Sequence, residues 1–416
     1  MSSKTKTTST KEETRPALVP KLRFPEFRGA VGWKQKDLYA IADPVTEKAI
    51  HGEENNVLSL SAEHGIVLQS DFFGKKVAGD NPERYLKIAR NDFVYNDRTT
   101  KDSTFGTIKR LSKYSGGIVS PIYKCFRFHD DENPVFWEWY FESGAHTKAL
   151  AGLVNEGARA GRFNISISQF LSTSACRPDE PEQHKIAECL SSVDEMMAAQ
   201  ARKVAALKTH KKGLMQNLFP RESETHPRLR FPEFQNAGEW EPKTLVDACR
   251  MQAGKFVAAD DINEQNAGYL FPCYGGNGLR GFTTNYTHDG VYPLIGRQGA
   301  LCGNVKLVSG RFHATEHAVV STPNQGVAVV WLYYLLELLN LNRFATGQAQ
   351  PGLSVDVLEK VPVTIPKDES EQQRIASCLS SLDALITAET QKLEALKTHK
   401  KGLMQQLFPS LAKIEV

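Results

Sequence analysis

Two stretches of the chain carry apolar residues at steps of three, four and seven, the pattern of a coiled-coil seam on a long helix. In the first stretch, residues 182–220, these positions are Ile186, Leu190, Val193, Met197, Val204, Leu207, Leu214 and Leu218. In the second, residues 371–409, they are Ile375, Leu379, Leu382, Ile386, Leu393, Leu396, Leu403 and Leu407. Pro220 and Pro409 end the stretches, because proline cannot continue a helix. The pattern predicts two helices of roughly 55 Å each, at 1.5 Å per residue.

The two stretches are copies of one sequence, 189 residues apart, with 25 of 39 aligned positions identical. A shorter phrase repeats as well, since KLRFPEF at 21–27 returns as RLRFPEF at 228–234. The order of phrase, variable block and long helix therefore occurs twice, and repeats of this kind define the architecture. The predicted division is a disordered tail at 1–20, a variable domain at 21–178, a long helix at 179–220, a second variable domain at 221–367, a long helix at 368–409 and a tail at 410–416.

Polar residues interrupt both seams, and they suggest how the helices pair. An antiparallel register places Gln200 opposite Lys400 and Lys211 opposite Glu389, so that each polar residue meets a polar partner. Buried polar layers commonly specify register in coiled coils, which favours this pairing. The alternative is that each helix docks separately on a globular core, with the lysines extending their ammonium groups to solvent.

Both variable blocks mix short strands with one helix. Runs such as 92–95, 117–124 and 290–295 are β-branched or aromatic and are bounded by glycine, asparagine or aspartate, which predicts strands with tight turns. A helix is expected at Pro134–Leu150 in the first block and at Val327–Asn342 in the second. The predicted fold class is α+β, with two structurally similar domains separated by a pseudo-two-fold antiparallel coiled coil of two long helices.

Composition excludes several classes of protein. In 416 residues the hydrophobic content is 41%, the charged content 24% and the net charge +3, which is ordinary for a soluble protein and too small to indicate nucleic-acid binding by itself. Seven cysteines without a CxxC pair, and a polar start without an apolar signal segment, indicate a reduced, cytoplasmic protein. The most apolar stretch, 327–341, is shorter than the roughly 20 residues of a membrane span.

Basic and amide side chains concentrate on the loops of both blocks. Arginine, asparagine and glutamine can hydrogen-bond base edges, and lysine and arginine bind phosphate, so the set predicts DNA contacts. The candidates in the first block are Arg98, Lys101, Lys109, Arg110, Arg159, Arg162 and Asn164, and those in the second are Tyr274, Asn277, Arg280, Arg297, Gln298 and Lys306. For any single residue, a solvated loop charge is at least as good an interpretation.

Three motifs resemble catalytic or cofactor signatures but lack the required context. The GxGxxG spelling at 276–281 is followed by a predicted strand, whereas a dinucleotide site needs a helix there. The HxxEH spelling at 313–317 also continues as a strand, whereas zinc ligands of this type share a helix face. The third, Asn133-Pro-Val-Phe136, is one residue from the tetrapeptide of adenine methyltransferases but has no glycine-rich loop before it. We therefore expect no cofactor, metal or catalytic residue.

The order of these parts resembles the specificity subunit of type I restriction–modification enzymes. The resemblance rests on the repeated LRFPEF phrase, the paired helices, and three phrases of the second block, Tyr274-Gly-Gly-Asn-Gly278, Leu294 to Gly303, and Ala314-Thr-Glu-His-Ala318. It implies two target-recognition domains, each docking on duplex DNA, with the helices setting the unread spacer of a bipartite, asymmetric site. It also implies partners: two methylation subunits that use S-adenosylmethionine, and restriction subunits in the full complex.

The resemblance therefore leads us to expect a non-catalytic DNA-specificity subunit, with no membrane contact. Two alternatives remain at this point. One is a self-contained adenine methyltransferase that uses the Asn133–Phe136 segment, and the other is a coiled-coil scaffold that never contacts DNA.

Overall fold

The structure, a computed structural model, describes residues 18–50, 56–73, 82–99, 103–153, 164–299, 301–347 and 351–409. The chain forms two compact units. Unit 1 contains the described residues of Met1–Ala199 and Leu393–Val416, and unit 2 contains Gln200–Lys392. The division falls inside the long helices, so each unit holds the first part of one long helix and the last part of the other.

Unit 1 has a two-stranded ribbon and two four-stranded sheets among its described residues. Its strands are β1 Lys34–Asp37, β2 Ala42–Pro44, β3 Val57–Ser61, β4 Gly65–Leu68, β5 Leu86–Ala89, β6 Phe93–Asn96, β7 Thr107–Arg110, β8 Gly116–Val119, β9 Lys124–Phe128 and β10 Ser174–Arg177. The strand orders are β1-β10, β2-β9-β6-β7 and β4-β3-β8-β5. The short helices are α1 Gln69–Phe73, α2 Pro134–Glu142, α3 Thr147–Ala151 and α4 Ile167–Leu171, and the long helix α5 spans Glu180–Leu218.

Among its described residues, unit 2 has the same kind of ribbon and one six-stranded sheet. Its strands are β11 Glu241–Thr244, β12 Cys249–Ala253, β13 Phe271–Gly275, β14 Gly278–Thr283, β15 His288–Gly296, β16 Val305–Ala314, β17 Ala318–Pro323 and β18 Pro362–Ile365. The strand orders are β11-β18 and β12-β17-β15-β16-β13-β14. The helices are α6 Leu245–Ala248, α7 Val329–Leu338, α8 Val355–Glu359 and the long helix α9 Glu369–Leu407. The α+β class is confirmed.

A glycine and an asparagine explain why the helices of the two variable blocks are shorter than predicted. The first was expected over Pro134–Leu150, but α2 ends at Glu142 and α3 begins at Thr147, with Gly144 between them at φ 78°. The second was expected to reach Asn342, but α7 ends at Leu338 and Asn340 takes a left-handed φ of 49°. Glycine and asparagine are the residues that accept this conformation at a helix end.

Each unit has an aromatic core that the end of a long helix completes. In unit 1, Phe408 at the end of α9 packs on Trp33 and Phe136, with ring centroids 6.1 and 5.6 Å apart. In unit 2, Phe219 at the end of α5 packs on Trp240 and Trp331, at 6.2 and 5.8 Å. The buried aromatic residues dominate the hydrophobic stabilisation of both units.

A buried ion pair ties each repeated phrase to the start of a long helix. In unit 1, the Arg23 guanidinium donates to both oxygens of Glu182, from Nε at 2.9 Å and from an Nη at 2.7 Å. Trp33 Nε1 donates to the same carboxylate at 3.3 Å, and the remaining guanidinium donors reach the carbonyls of Ala30 and Val31. We call this arrangement the Arg–Glu–Trp clamp.

Unit 2 repeats the clamp at the equivalent positions. Arg230 donates to Glu371 at 2.7 and 2.8 Å, Trp240 Nε1 donates to the same carboxylate at 3.3 Å, and Arg230 also reaches the Ala237 carbonyl. The two carboxylates are only 3% and 2% exposed. Planar bidentate pairing satisfies both charges, which is what makes their burial tolerable.

The glutamine that follows each clamp glutamate hydrogen-bonds to the start of α2 or α7, the helices of the variable blocks. The side chain of Gln183 accepts a hydrogen bond from the backbone N–H of Asn133, the residue that caps α2. Gln372 does the same for Ala328, the residue at the N-cap position of α7. The two units are thus structurally similar around the starts of the long helices, and their sheets differ.

A further pair of equivalent contacts joins each repeated phrase to the end of a long helix. The Leu22 amide donates to the Gln406 carbonyl at 3.0 Å in unit 1, and the Leu229 amide donates to the Asn217 carbonyl at 2.9 Å in unit 2. Asn217 and Leu229 are close in sequence, whereas Leu22 and Gln406 are 384 residues apart.

The long helices pair antiparallel, but the register predicted from the sequence is wrong. Gln200 Nε2 donates to Glu389 Oε2 at 2.7 Å and does not meet Lys400, which instead pairs with Asp194. Lys211 pairs with Asp383 at 2.9 Å and does not meet Glu389. The residue numbers on α5 rise as those on α9 fall, which establishes the antiparallel direction.

The lysines explain the error in register. Lys400 Nζ lies 4.4 Å from the ring centroid of Trp139, and Lys211 Nζ lies 5.0 Å from that of Tyr334. Both ammonium groups therefore leave the seam and interact with the block helices. Glu389 and Lys400 are eleven residues apart, which is close to three helical turns, so both lie on the same face of α9. The periodicity of the sequence therefore does not distinguish the predicted register from the observed one.

We predict that Glu182→Gln destabilises unit 1 by about 3 kcal/mol, because Arg23 would remain buried without its counter-charge. Urea unfolding followed by circular dichroism measures the change. Glu26→Gln is the matched control: Glu26 pairs with Lys185 at 3.3 Å on the surface, and its loss should leave the unfolding midpoint in place. Equal midpoints for Glu182→Gln and the wild type would contradict the role of the clamp.

A second prediction concerns pH. Hydrogen bonds from Gln200, then from Lys203 and Lys392, lower the pKa of Glu389 to about 2. A carboxylate whose pKa is depressed in the folded state stabilises the fold above its unfolded pKa of about 4.3, and the contribution is lost as the pH falls towards 2. Unfolding midpoints of the wild type and Glu389→Gln, measured from pH 5 to 2, should therefore converge. A constant difference across that window would contradict the assignment.

Candidate nucleic-acid interface

The turn between β13 and β14 exposes Asn277 and brings basic side chains together. A Cβ on Gly275 would lie 2.6 Å from Arg280 Cδ, and a Cβ on Gly278 would lie 2.5 Å from Lys306 Nζ. Gly278 also has a φ of 106°, which other residues rarely adopt. The missing side chains therefore allow Arg280 and Lys306 to lie directly over the turn.

The loop after β15 meets this turn and is held from two sides. The backbone of Gln298 lies near Gly276, whose added Cβ would be 3.3 Å from the Gln298 carbonyl. Arg297 donates from Nε to the Leu353 carbonyl at 3.2 Å, and its carbonyl accepts from the Leu353 amide at 2.9 Å. Arg297 therefore anchors the loop, while the Gln298 side chain is exposed.

The turn between β16 and β17 lies against both the β13–β14 turn and the loop after β15. The Thr315 amide donates to the Tyr274 carbonyl at 2.8 Å, and the His317 carbonyl accepts from the Arg297 amide at 2.9 Å. Tyr274 is half-buried against the ring of Phe312, so its role in this position is to support the turn.

Six side chains thus lie at one edge of unit 2, and we call them the turn cluster: Asn277, Arg280, Gln298, Lys306, Glu316 and His317. The first four are candidate DNA contacts predicted from the sequence, whereas Glu316 and His317 appear there only within the HxxEH spelling and the phrase at 314–318. No signal in the sequence places Glu316 and His317 there, because only the strand pairing brings their turn to this edge.

The charges of the turn cluster are available to a ligand. Neither Arg280 nor Lys306 forms an ion pair with any carboxylate of the described residues, and both are exposed. Arg311 in the same sheet is different, since Asp289 lies 2.9 Å from its Nε. The cluster combines two unpaired cations with two exposed amides, the groups that bind phosphate and base edges.

The candidates of unit 1 do not form a comparable group among the described residues. Lys109 pairs with Glu142 at 2.7 Å, and Arg110 pairs with Glu138 at 2.6 Å, so both join β7 to α2. Arg98 is exposed, and Asn164 has a left-handed φ of 53°. The other candidates, Lys101, Arg159 and Arg162, lie outside the described residues.

The three signature-like motifs have structural roles. Asn133 caps α2, with Oδ1 accepting from Val135 and Phe136 amides at 2.9 and 3.1 Å, and Phe136 is fully buried. The GxGxxG segment is the β13–β14 hairpin, and the HxxEH segment is the end of β16 with the following turn. Within the described part of the chain, no three His, Cys, Asp or Glu side chains are grouped to hold a metal.

Three of the buried cysteines are unsuited to nucleophilic chemistry. Burial raises the pKa of the Cys125 and Cys249 thiols to about 12 and that of Cys176 to about 11. Catalysis needs the thiolate, which these groups do not form at neutral pH. Across the described residues, no helix combines the length and apolarity that crossing a membrane requires.

Comparisons with known proteins agree on one family. A family model described as the type I restriction modification DNA specificity domain matches residues 237–398. The specificity subunit of the type I restriction enzyme EcoprrI of Escherichia coli is 43% identical over 154 residues, 37% of this chain and 38% of that protein. The crystal structure of the S subunit of a type I system from M. genitalium superposes with a TM-score of 0.62, covering 95% of this chain and 100% of that one. Residues 237–398 thus match the specificity domain of type I restriction–modification systems, and the chain shares the fold of a type I S subunit.

The likeness to known specificity subunits is one of fold in the structural comparison and one of sequence in the others. Identity to the M. genitalium structure is 16%, so that superposition shows a shared fold. The MjaVIII specificity subunit of Methanocaldococcus jannaschii is 23% identical over 263 residues, 57% of this chain and 62% of the relative. The chain spans less than two thirds of the length of either curated relative in these alignments.

We predict that Gly278→Ala destabilises unit 2 by roughly 1–3 kcal/mol, because alanine would be strained at this φ and would collide with Lys306. Gly213→Ala is the control, since Gly213 lies in α5 with open space around it and alanine should stabilise the helix by about 1 kcal/mol. Thermal unfolding distinguishes the two. If both substitutions changed stability in the same direction, the account of the turn would be wrong.

Proposed function

We propose that this protein is a specificity subunit, the non-catalytic DNA-reading component of a type I restriction–modification complex. The observation that carries the proposal is the turn cluster, where the unpaired cations Arg280 and Lys306 lie beside the exposed amides of Asn277 and Gln298. The curated relatives carry the names of type I restriction enzyme specificity subunits, which supports the same function.

In this proposal, unit 2 docks the turn cluster in the major groove. Arg280 and Lys306 bind phosphates and fix the orientation, while Asn277 and Gln298 contact base edges; an amide side chain can bind adenine N6 and N7 together. Arg297 and Tyr274 hold the loop and turn in place. The site binds and orients DNA and performs no chemical step.

Unit 1 reads the other half of the site in this proposal, with Arg98, Lys101, Arg159, Arg162 and Asn164 as candidate contacts. Because the two units carry different sheets and loops, the recognition sequence is bipartite and asymmetric. The long helices, which belong in part to each unit, set the length of the unread spacer. Lys109 and Arg110 contribute through their ion pairs with α2, which keep β7 in position.

The partners we propose are two methylation subunits, which bind S-adenosylmethionine, and restriction subunits in the full complex, all in the cytoplasm. The helix-capping role of Asn133 argues against a self-contained methyltransferase, because a capping side chain held by two backbone amides is not free to contact a base. Measurable binding of S-adenosylmethionine to the isolated chain would reverse that argument.

We predict that Arg280→Ala with Lys306→Ala weakens binding of the methylation complex to all DNA sequences. Removing two phosphate contacts should reduce the slope of log K against log salt by about 2. Fluorescence anisotropy between 50 and 200 mM salt measures it, and Arg311→Ala, which removes a paired arginine of the same sheet, is the control. An unchanged salt slope would favour a scaffold that does not contact DNA.

A further inference from the structure

The loop between β12 and β13 carries an exposed aromatic side chain that the proposed function does not use. Phe256 in this loop is 76% exposed, and its ring packs on no other ring of the described residues. A single exposed apolar side chain is common on protein surfaces, so the inference depends on how the fold holds this one and on what lies beside it.

The backbone that precedes Phe256 is fixed to the β16–β17 turn. The Gly254 amide donates to the Ala318 carbonyl at 2.9 Å, and the Lys255 amide donates to the Ala314 carbonyl at 2.9 Å. A Cβ on Gly254 would collide with the Ala314 carbonyl oxygen, so this close approach requires glycine. The phenyl ring is therefore carried by a backbone with little freedom, and little entropy is lost when a ligand covers the ring.

The far end of the same loop is fixed to the edge strand β14. The Asn263 amide donates to the Phe282 carbonyl at 2.7 Å, and the Phe282 amide donates back to the Asn263 carbonyl at 2.8 Å. A Cβ on Gly281 would lie 2.5 Å from that Asn263 carbonyl oxygen, so the loop and the strand are in close contact. The loop thus runs from β12 to β14 with both of its ends anchored.

Phe256 lies next to the turn cluster, because both use the β16–β17 turn. On one side this turn accepts the hydrogen bonds of Gly254 and Lys255. On its other side the His317 carbonyl accepts from the Arg297 amide, and a Cβ on Gly276 would lie 3.1 Å from the same oxygen. Lys255 is exposed and forms no ion pair with a carboxylate of the described residues, so a further cation lies beside the ring.

The chemistry of the ring and of its neighbour identifies the ligand that fits them. A phenyl ring offers no hydrogen bond, and the apolar group that base edges present in the major groove is the C5-methyl group of thymine. Packing the ring on that methyl group removes apolar surface of both from water. The ammonium group of Lys255 suits a phosphate, whereas an apolar protein surface would desolvate it without a partner.

We propose that Phe256 is a specificity-determining residue of unit 2 that packs on the C5-methyl group of a thymine, while Lys255 binds a neighbouring phosphate. This rests on the proposed function, because it assumes that the turn cluster docks in the major groove. The amides of the cluster read base edges through hydrogen bonds, and Phe256 adds a contact that depends on one methyl group.

The experiment uses the methylation complex assembled with the full chain, and DNA carrying the recognition sequence found by selection from a random library. Each thymine of the unit 2 half-site, on either strand, is replaced in turn by uracil, which pairs as thymine does and lacks only the methyl group. At one position the replacement should weaken wild-type binding about fourfold, the factor expected for one methyl group that is no longer buried. Phe256→Ala should bind the thymine and uracil forms of that position equally.

Two further variants serve as controls. Tyr269→Ala removes another exposed aromatic ring of unit 2, 74% exposed, which the strand β13 separates from the β13–β14 turn. This variant should keep the wild-type preference for thymine over uracil. Lys255→Ala should keep it as well and should reduce the slope of log K against log salt by about 1.

The outcomes separate this inference from the proposed function. A unit 2 half-site without thymine, or one at which no uracil replacement weakens wild-type binding, overturns the role of Phe256 while the DNA-reading function stands. A wild-type preference for thymine that Phe256→Ala retains overturns it too. Failure of Phe256→Ala to assemble with the methylation subunits would show a protein contact instead. If the wild-type complex shows no sequence preference at all, the proposed function fails and this inference fails with it.

Discussion

The buried carboxylates of the Arg–Glu–Trp clamps are the constraint on which the two units depend. Glu182 and Glu371 lie at the starts of the long helices, and each binds an arginine of the repeated phrase and a tryptophan that follows it. Such a charge is tolerated in a core only when every partner is present. The phrase, the ribbon and the helix must therefore assemble together, and the neighbouring glutamines align the block helices on the same frame.

This shared frame leaves the loops free to differ. The sheets of the two units have different strand orders, and the turn cluster lies on turns and adjoining strand ends of the six-stranded sheet. Its glycines permit three turns to meet closely, and backbone hydrogen bonds hold those turns before any ligand arrives. Preorganised polar groups lose little entropy on binding, so a rigid cluster suits the selection of one sequence among many.

The sequence predicts the long helices and the α+β class well, because a repeated apolar seam is a strong signal. It predicts the register poorly, because Lys211 and Lys400 leave the seam for aromatic rings that lie far away in the chain. A charge assigned to a loop from the sequence is a similarly weak signal, because these side chains lie on strands. Lys109 and Arg110 on β7 pair with glutamates of α2, whereas Arg280 and Lys306 pair with no carboxylate among the described residues. Glu316 could not be chosen from sequence, since strand pairing decides its neighbours.

The contact between Leu22 and Gln406 has a consequence for the chain connectivity that this fold allows. Unit 2 makes the same contact between Leu229 and Asn217, with a short covalent link between them. The packing of a phrase on a helix end is therefore the same whether a short covalent link joins the two, as in unit 2, or not, as in unit 1. We therefore expect a gene that joins 409 to 18 and opens the chain near 225 to encode the same fold, because each phrase contacts a helix end whether or not a short link connects them.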